Sequence, residues 1–491
     1  MKTRIISSFL ILGLLLSGCN TTPAYHKPEV STPAAYKESA GGIWKAAQPK
    51  DDQLKGDWWK RFNDSDLNAL EMQAMQANQN LAQAAANVRA AWSLVDQARS
   101  SFFPVLGISP SASRSGTPGT SGSSAKTSTT FSVPLTASWE PDFWGRVGNS
   151  VREASFSAQE SVANMENARL SIQAGLASDY FQLRALDEQK KLLDDTATAY
   201  QKILDLMQDR FDTGIASASD VETAKSQLEA ALALATDIGV SRAQLEHAIA
   251  LLVGKSASDF EIKSKALTVE PPIVPPSTPS TLLERRPDIA AAERQVAAAN
   301  EIIGLAKTAF FPSITLTGSG GVESSTLSHL FSASSLMWSL GGSASEVIFN
   351  GGLYGAELEQ AKANYEAAVA NYRQTVLGGF QQVEDDLAAI RLHAQERTQL
   401  DAAVVSSKRA LDLEQSRYEA GIDGYLSVLQ AQITLYGNER SLLSIKMEQL
   451  TDSVGLIKAL GGGWQEPWNE SPKNGVSAIT KIMKLFNIPV Y

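Results

Sequence analysis

Apolar positions recur every three to four residues along most of this chain, and the period drops to two in only a few short stretches. The long-period regions are framed by proline, which breaks helices by removing an N–H and clashing with the preceding turn. Prolines cluster at 23–49, 104–141, 271–287, 312 and 467–489; none lies between Asp142 and Glu270, or between Ser313 and Glu466. Both gaps are rich in the good helix formers Ala, Leu, Gln, Glu, Lys and Arg. The pattern predicts helices over 65–101, 142–212, 217–253, 281–309, 351–420 and 425–460. Globular helices average about 11–12 residues, whereas a helix of about 70 residues at 1.5 Å per residue runs roughly 105 Å. Such length implies a coiled-coil rod or a helical tube. Runs such as Ala82-Gln83-Ala84-Ala85-Ala86 and Ala367-Ala368-Val369-Ala370 let such helices approach closely.

The chain repeats itself. Arg99-Ser100-Ser101-Phe102-Phe103-Pro104 returns as Lys307-Thr308-Ala309-Phe310-Phe311-Pro312, and Arg210-Phe211-Asp212-Thr213-Gly214-Ile215 as Arg417-Tyr418-Glu419-Ala420-Gly421-Ile422. Phe143-Trp144-Gly145-Arg146 aligns loosely with Phe349-Asn350-Gly351-Gly352. The offsets are 208, 207 and 206, so the chain reads as two copies of one unit: short helix, β segment, long helix, tight turn, helix. The Pro-rich connector Pro271-Pro272-Ile273-Val274-Pro275-Pro276 joins them. Gly214 and Gly421 can adopt the left-handed conformation that ends a helix, with the next Ile packing back on the last turn. Ser217 or Ser219, and Asp423, can cap the helix that follows.

After each Phe-Phe-Pro the period becomes two. Phe131 to Trp139 puts apolar residues on one face and mostly Ser/Thr on the other; Ser313 to Ser319 and the trio Leu336, Trp338, Leu340 do likewise, and Leu106 with Ile108 more weakly. Between them lie a Ser/Gly/Thr-rich stretch (Ala112 to Thr127) and a Ser-rich one (Glu323 to Ser335), both read as solvent-facing loops. The alternation suits either a half-buried soluble sheet or transmembrane strands of about 9–11 residues. In the second case Phe102, Phe103, Phe310 and Phe311 belong to an interfacial girdle. Two strands per copy give four per chain. Four cannot close a barrel, the smallest membrane barrels have about eight strands, and lipid does not tolerate an open sheet edge. A membrane reading therefore requires chains to pool strands, and three chains supply twelve.

Composition narrows the chemistry. There are 491 residues, a formal net charge of −10, one cysteine and four histidines. The acidic balance argues against a general nucleic-acid binder, and the cysteine and histidine counts against a disulfide framework or a structural zinc site. The start reads as a secretory signal: Lys2 and Arg4, then a short apolar run from Ile5 to Leu16, too short for a membrane helix. It ends in Leu16-Ser17-Gly18-Cys19, which resembles a bacterial lipobox in which Cys19 becomes the lipidated first residue; the other reading is an ordinary signal peptide with an incidental cysteine. Asn20 in place of Asp after the cysteine favours the outer over the inner membrane. No Ser/His/Asp order, phosphate loop, metal-binding cluster or cofactor motif stands out, so neither catalysis nor a cofactor is expected.

Leu282-Leu283-Glu284-Arg285-Arg286-Pro287-Asp288-Ile289, Trp139-Glu140-Pro141-Asp142-Phe143-Trp144-Gly145-Arg146 and the run from Phe349 through Asn371-Tyr372-Arg373-Gln374 to Val383-Glu384-Asp385-Asp386-Leu387 resemble the outer-membrane factor lipoproteins of tripartite efflux systems (TolC-like, NodT subfamily). The likeness reaches about residue 465. It implies a mainly α fold with a membrane β-barrel: a homotrimer whose long antiparallel helices form an α-barrel and whose chains each give four strands to a shared 12-stranded β-barrel. It implies docking to a periplasmic adaptor and an inner-membrane pump, and export of drugs or other toxic small compounds across the outer membrane. The domain layout becomes signal peptide 1–18, lipid-anchored extended segment 19–64, first repeat 65–253, Pro-rich linker 254–280, second repeat 281–460 and tail 461–491. In such proteins a Tyr, an Arg and rings of Asp close the periplasmic end. Tyr418 matches the Tyr and Asp220 one Asp, while Asp423 stands where the Arg is expected, and Ser427 and Gln430 where further Asp are. The aperture candidates are therefore Asp220, Tyr418, Asp423, Arg210, Arg417 and Asp212, all but Tyr418 also as cross-hairpin partners, with turns at Gly214 and Gly421. Helix capping for the acids and helix-dipole pairing for the two arginines are the competing structural roles. A lipid-anchored periplasmic coiled-coil scaffold or adaptor without a pore is the alternative function.

Overall fold

The structure, a computed structural model, describes residues 22–38, 57–119, 126–273 and 285–462. The leader, Cys19, residues 274–284 of the connector and the tail from 463 lie outside the described residues. In chain order the main elements are α1 (Ser65–Ala77), α2 (Gln79–Ser100), β1 (Val105–Ile108), β2 (Ser111–Thr117), β3 (Lys126–Trp139), α3 (Arg146–Asp212), α4 (Ala218–Leu252), α5 (Pro287–Thr308), β4 (Ser313–Ser324), β5 (Leu336–Ser345), α6 (Leu353–Glu419) and α7 (Tyr425–Ala459).

The internal duplication is visible in the element lengths. Helices α2 and α5 have 22 residues each, α3 and α6 67 each, and α4 and α7 35 each. One expectation is corrected: the stretch 65–101 is two helices. Asn78 adopts an extended backbone, and its Oδ1 accepts from the N–H groups of Asn80 (2.9 Å) and Leu81 (3.1 Å), so it caps α2. Its amide also donates to the Leu252 carbonyl at 2.8 Å. The break is made by a side-chain cap, with no proline to announce it.

Two compact units can be distinguished. The first comprises Met1–Glu29, Asn87–Val162 and Ala291–Arg373. It holds one antiparallel sheet of order β1-β3-β4-β5, with β2 pairing with β3 beyond the end of β1. β1 and β2 are thus one strand position, interrupted at Ser109 and Pro110, and the four expected positions are present. They run longer than expected: β3 has 14 residues and β4 has 12. Within the stretch from Ala112 to Thr127, read as a loop, the described residues are largely strand, because Ser111–Thr117 and Lys126 onward pair along their whole length. Such a Ser-rich strand has no apolar alternation to reveal it. Helical parts of this unit pack through Val95, Ala154 and Ala158. The extended N-terminal segment is tied to α5: Asn300 donates to the Pro23 carbonyl (2.9 Å) and the Thr22 hydroxyl to Glu301 (3.3 Å).

The second unit comprises Val30–Ala86, Ala163–Ala290 and Gln374–Tyr491. Its helices interlock in successive layers: Leu193 with Ala235 and Ile238, then Ala197 and Tyr200 with Leu228 and Ala231, then Met207 and Ala224 with Tyr418, Tyr425, Val428 and Leu429. Alanine alternating with one large residue permits the close approach that the composition implied. Buried Asp187 accepts from Arg242 Nε (2.7 Å), Arg184 Nη1 (3.1 Å) and the Lys265 N–H (3.2 Å), pinning the segment after α4 against α3. Arg286 chelates Asp288 and donates to the Ala459 carbonyl at 3.0 Å, which locks the start of α5 onto the end of α7. No helix among the described residues is long and apolar enough to cross a membrane.

Candidate functional site

Register assigns every strand residue to one of two faces. Phe131, Val133, Leu135, Ala137 and Trp139 of β3 pair with Ser324, Val322, Gly320, Gly318 and Leu316 of β4. Those β4 positions continue into Leu336, Trp338, Leu340 and Gly342 of β5, and on the other side Ala137 and Leu135 face Leu106 and Ile108 of β1. The result is one continuous apolar face. Leu336, Trp338 and Leu340 are 71%, 80% and 81% exposed, so nothing among the described residues covers them. From Phe131 to Trp139 the band runs about 27 Å along the strand, which a tilt of about 40° shortens to roughly 20 Å. Exposed Phe102, Phe103, Phe310 and Phe311 extend it at the helix junctions, where Trp144 stacks on Phe311 at 5.0 Å and donates its indole N–H to the Pro312 carbonyl (2.7 Å).

The opposite face is mainly Ser, Thr and Gly, interrupted by Pro134, Glu323 and Met337. Ser132 meets Ser111 and Ser319 meets Ser339, each pair with hydroxyls 2.8 Å apart, while Thr136 donates to the Gly107 carbonyl. A soluble half-buried sheet points its apolar face at a core. Here that face is bare and the sheet has two unpaired edges among the described residues, at β1/β2 and at β5. Lipid on one side and water on the other satisfies both faces, but only once the edges find partners.

The second place of interest is the end of the helical pairs. α3 closes through Gly214 (φ +78°), with the Ile215 N–H bonded to the Arg210 carbonyl at 2.8 Å. α6 closes the same way through Gly421 (φ +73°), with Ile422 bonded to Arg417 at 2.9 Å. Both turns are as the sequence indicated. The isoleucines do not pack back, however: Ile215 is 75% and Ile422 67% exposed.

The charged candidates sort differently from expectation. Asp220 forms a reciprocal capping box with Ser217, which bonds its carboxylate through both N–H (3.1 Å) and hydroxyl (2.8 Å). Asp423 caps nothing; Gly424 occupies that position, and Asp423 pairs with Arg417 inside the same hairpin, pushing the guanidinium pKa further up. Asp212 accepts from Gln208 on its own helix at 2.9 Å. Arg210 makes the link across hairpins, and it is a cation–π contact rather than an ion pair: its guanidinium lies 4.4 Å from the Tyr418 ring centroid. Tyr418 is buried, donates to Met207 Sδ at 3.5 Å and meets Tyr425 edge-on at 6.1 Å. Burial, with Tyr200 and Tyr418 adding smaller effects, pushes the Tyr425 phenol up to about 12. The expected set of cross-hairpin Arg–Asp pairs is thus absent among the described residues, because each acid finds a nearer partner on its own hairpin. Met207 and Tyr425 were missed, since a dispersed Met and an aromatic read as ordinary core.

A bare apolar band over a hydroxyl-lined face, on a sheet too small to close, matches one group of known proteins. The sequence profile of the outer membrane efflux proteins fits residues 70–255 and 278–462. The chain belongs to that family. It is 32% identical over 480 residues to the probable efflux pump outer membrane protein TtgC of Pseudomonas putida, covering 94% of this chain and 96% of that one. It is also 32% identical to the pyoverdine export outer membrane protein OpmQ of Pseudomonas aeruginosa, over 92% and 95% of the two chains. Among solved structures the outer-membrane channel OprN superposes with a TM-score of 0.84 at 27% identity, over 91% of this chain and all of that one. As an outer membrane efflux protein, the chain belongs in the outer membrane. Both named relatives are export proteins rather than enzymes.

Proposed function

We propose that three copies of this chain form the exit duct of a tripartite efflux pump, which carries drugs or other toxic small compounds across the outer membrane. The observation that carries this reading is the sheet, which among the described residues has four strand positions, one bare apolar face, one mainly hydroxyl face and two free edges. Joining the β5 edge of one copy to the β1/β2 edge of the next leaves no edge after three steps, and twelve strands exceed the minimum of about eight. The hydroxyl face then lines the bore. Hydroxyls and glycines present no deep pocket, which suits a passive duct whose energy comes from an inner-membrane pump delivering through a periplasmic adaptor. Acylation of Cys19 would add an anchor of roughly 0.8 kcal/mol per buried CH₂. The aperture is set where Arg210, Tyr418, Arg417, Asp423, Asp220 and Asp212 gather at the hairpin ends.

Purified protein reconstituted in planar bilayers tests this. It is expected to migrate as a heat-dissociable trimer and to conduct ions; a monomer without conductance would support the scaffold reading instead. Asp220→Ala is expected to raise conductance or alter cation selectivity if that carboxylate borders the aperture. Unchanged currents at low and high salt, with a loss of helix stability of about 0.5–2 kcal/mol, would leave it a cap only.

A further inference from the structure

The two hairpins share a fold but differ in what holds them together partway along. In the second, α6 and α7 meet through four titratable side chains. His393 Nδ1 lies 2.7 Å from Asp452 Oδ2, and His393 Nε2 lies 3.6 Å from Glu448. Asp386, one helical stretch earlier, presses on α7 so closely that a Cβ placed on Gly455 would sit 2.9 Å from its Oδ1. The positions 207 residues earlier are Asp179, Leu186, Ser241 and Leu245. At these positions the first hairpin has two leucines and a serine, and only the acid at 179 is kept; its own α3–α4 charge pair, Asp187 with Arg242, lies one residue along and joins opposite charges.

We propose that the α6–α7 junction is a proton-sensitive clasp, held shut when Asp386 is protonated and loosened when it ionises, and that the first hairpin has no equivalent.

The surroundings of Asp386 explain why. From its own helix it faces Asp385, and from α7 it faces Asp452 and Lys458; Arg286, before α5, is the remaining cation. Arg286 is already committed to Asp288 and to the Ala459 carbonyl. Behind Asp452 stand His393 and Glu448. Burial, and after it the like charges of Asp452 and Asp385, push the Asp386 carboxyl up to about 7. A raised folded-state value means the stabilisation is fully present below the ordinary value of 3.8 and is lost as pH rises through about 7. Ionised Asp386 would place a second negative charge beside Asp452 across the helix pair; of the cations facing it, Arg286 is already committed and Lys458 offsets the repulsion only in part. Asp179 of the first hairpin is raised by burial alone. The end of the loosened hairpin carries Tyr418, Arg417 and Asp423, so under the channel reading the clasp would bear on the aperture. The clasp itself rests on the packing of α6 against α7 and on the burial of Asp386, not on the channel reading.

Hydrogen exchange of the full-length protein in lipid nanodiscs, corrected for the intrinsic pH dependence of exchange, tests it directly. Between about pH 5.5 and about pH 8, opening of segments 380–395 and 445–458 is expected to increase on the order of tenfold or more. The first-hairpin segments 173–188 and 238–252 should change less. Asp386→Asn should abolish the excess response, and Asp452→Asn should move its midpoint to lower pH. Equal responses in the two hairpins, or an undiminished response in Asp386→Asn, would overturn the proposal. Should Asp386→Asn not assemble, the direction of the midpoint in Asp452→Asn decides it alone. Conductance measured over the same pH range reports separately on the channel reading.

Discussion

At the scale of single residues, buried charge decides most of what can be tested. Glu71 lies in the apolar stripe of α1 between Leu67 and Ala74, is 0% exposed, and neither carboxylate oxygen has a hydrogen-bond partner among the described residues. Burial pushes its carboxyl well above the ordinary value of 4.5. The sign is that of any raised acid: stability is fully present below the ordinary value and falls as pH rises toward the folded-state value. Glu71→Gln should therefore raise stability at neutral pH by about 1 kcal/mol or more, and flatten the pH dependence of thermal unfolding measured between about pH 5 and pH 8. A variant that melts earlier than the parent at both pH values would contradict this. Asp187 is the opposite case, a buried acid with three donors, two of them arginine, and its pairing shows what Glu71 lacks.

At the scale of elements, the paired helices end by one device used twice. Gly214 and Gly421 both have positive φ, and nothing lies within 4 Å of a Cβ built on either. Replacing either with Ala therefore introduces no clash, and the cost is the left-handed backbone alone, about 1–2 kcal/mol. Gly214→Ala and Gly421→Ala are expected to be destabilised about equally in a urea or thermal series, with fraying confined to the turn as read by proteolysis. A severalfold difference between them would mean that a neighbouring chain packs on one turn. Proline spacing and glycine placement made these elements legible beforehand, nearly to the residue. The break at Asn78 and the strand Ser111–Thr117 were not legible, because a side-chain cap inside a helical period and a hydroxyl-rich strand both lack the apolar rhythm on which such reading depends.

At the scale of the whole molecule, the two faces of the sheet should respond oppositely to the same substitution. Leu340 and Ser339 are neighbours on β5 that register places on different faces. Leu340→Arg puts a charge toward acyl chains, at a cost of about 2–4 kcal/mol near the midplane, and should sharply lower the yield of heat-dissociable trimer in outer-membrane fractions. Ser339→Arg should assemble normally and shift single-channel ion selectivity toward anions. If both variants assemble equally well, the apolar face does not meet lipid. The family match makes the outer-membrane location secure, whereas the number of copies and the transported compound rest on edge closure and on these measurements.

Periodicity, proline gaps and the 207-residue offset already contain the helix lengths, the turns, the duplication and the shortfall of strands, because each is a local or counting property of the chain. Which charges pair is not local. Arg210 goes to the Tyr418 ring and Asp386 faces Asp452, because partners far apart in the sequence or across a helix pair are chosen by packing geometry. Electrostatic energy depends on separation in space and on exclusion of water, and neither exists until the helices have docked.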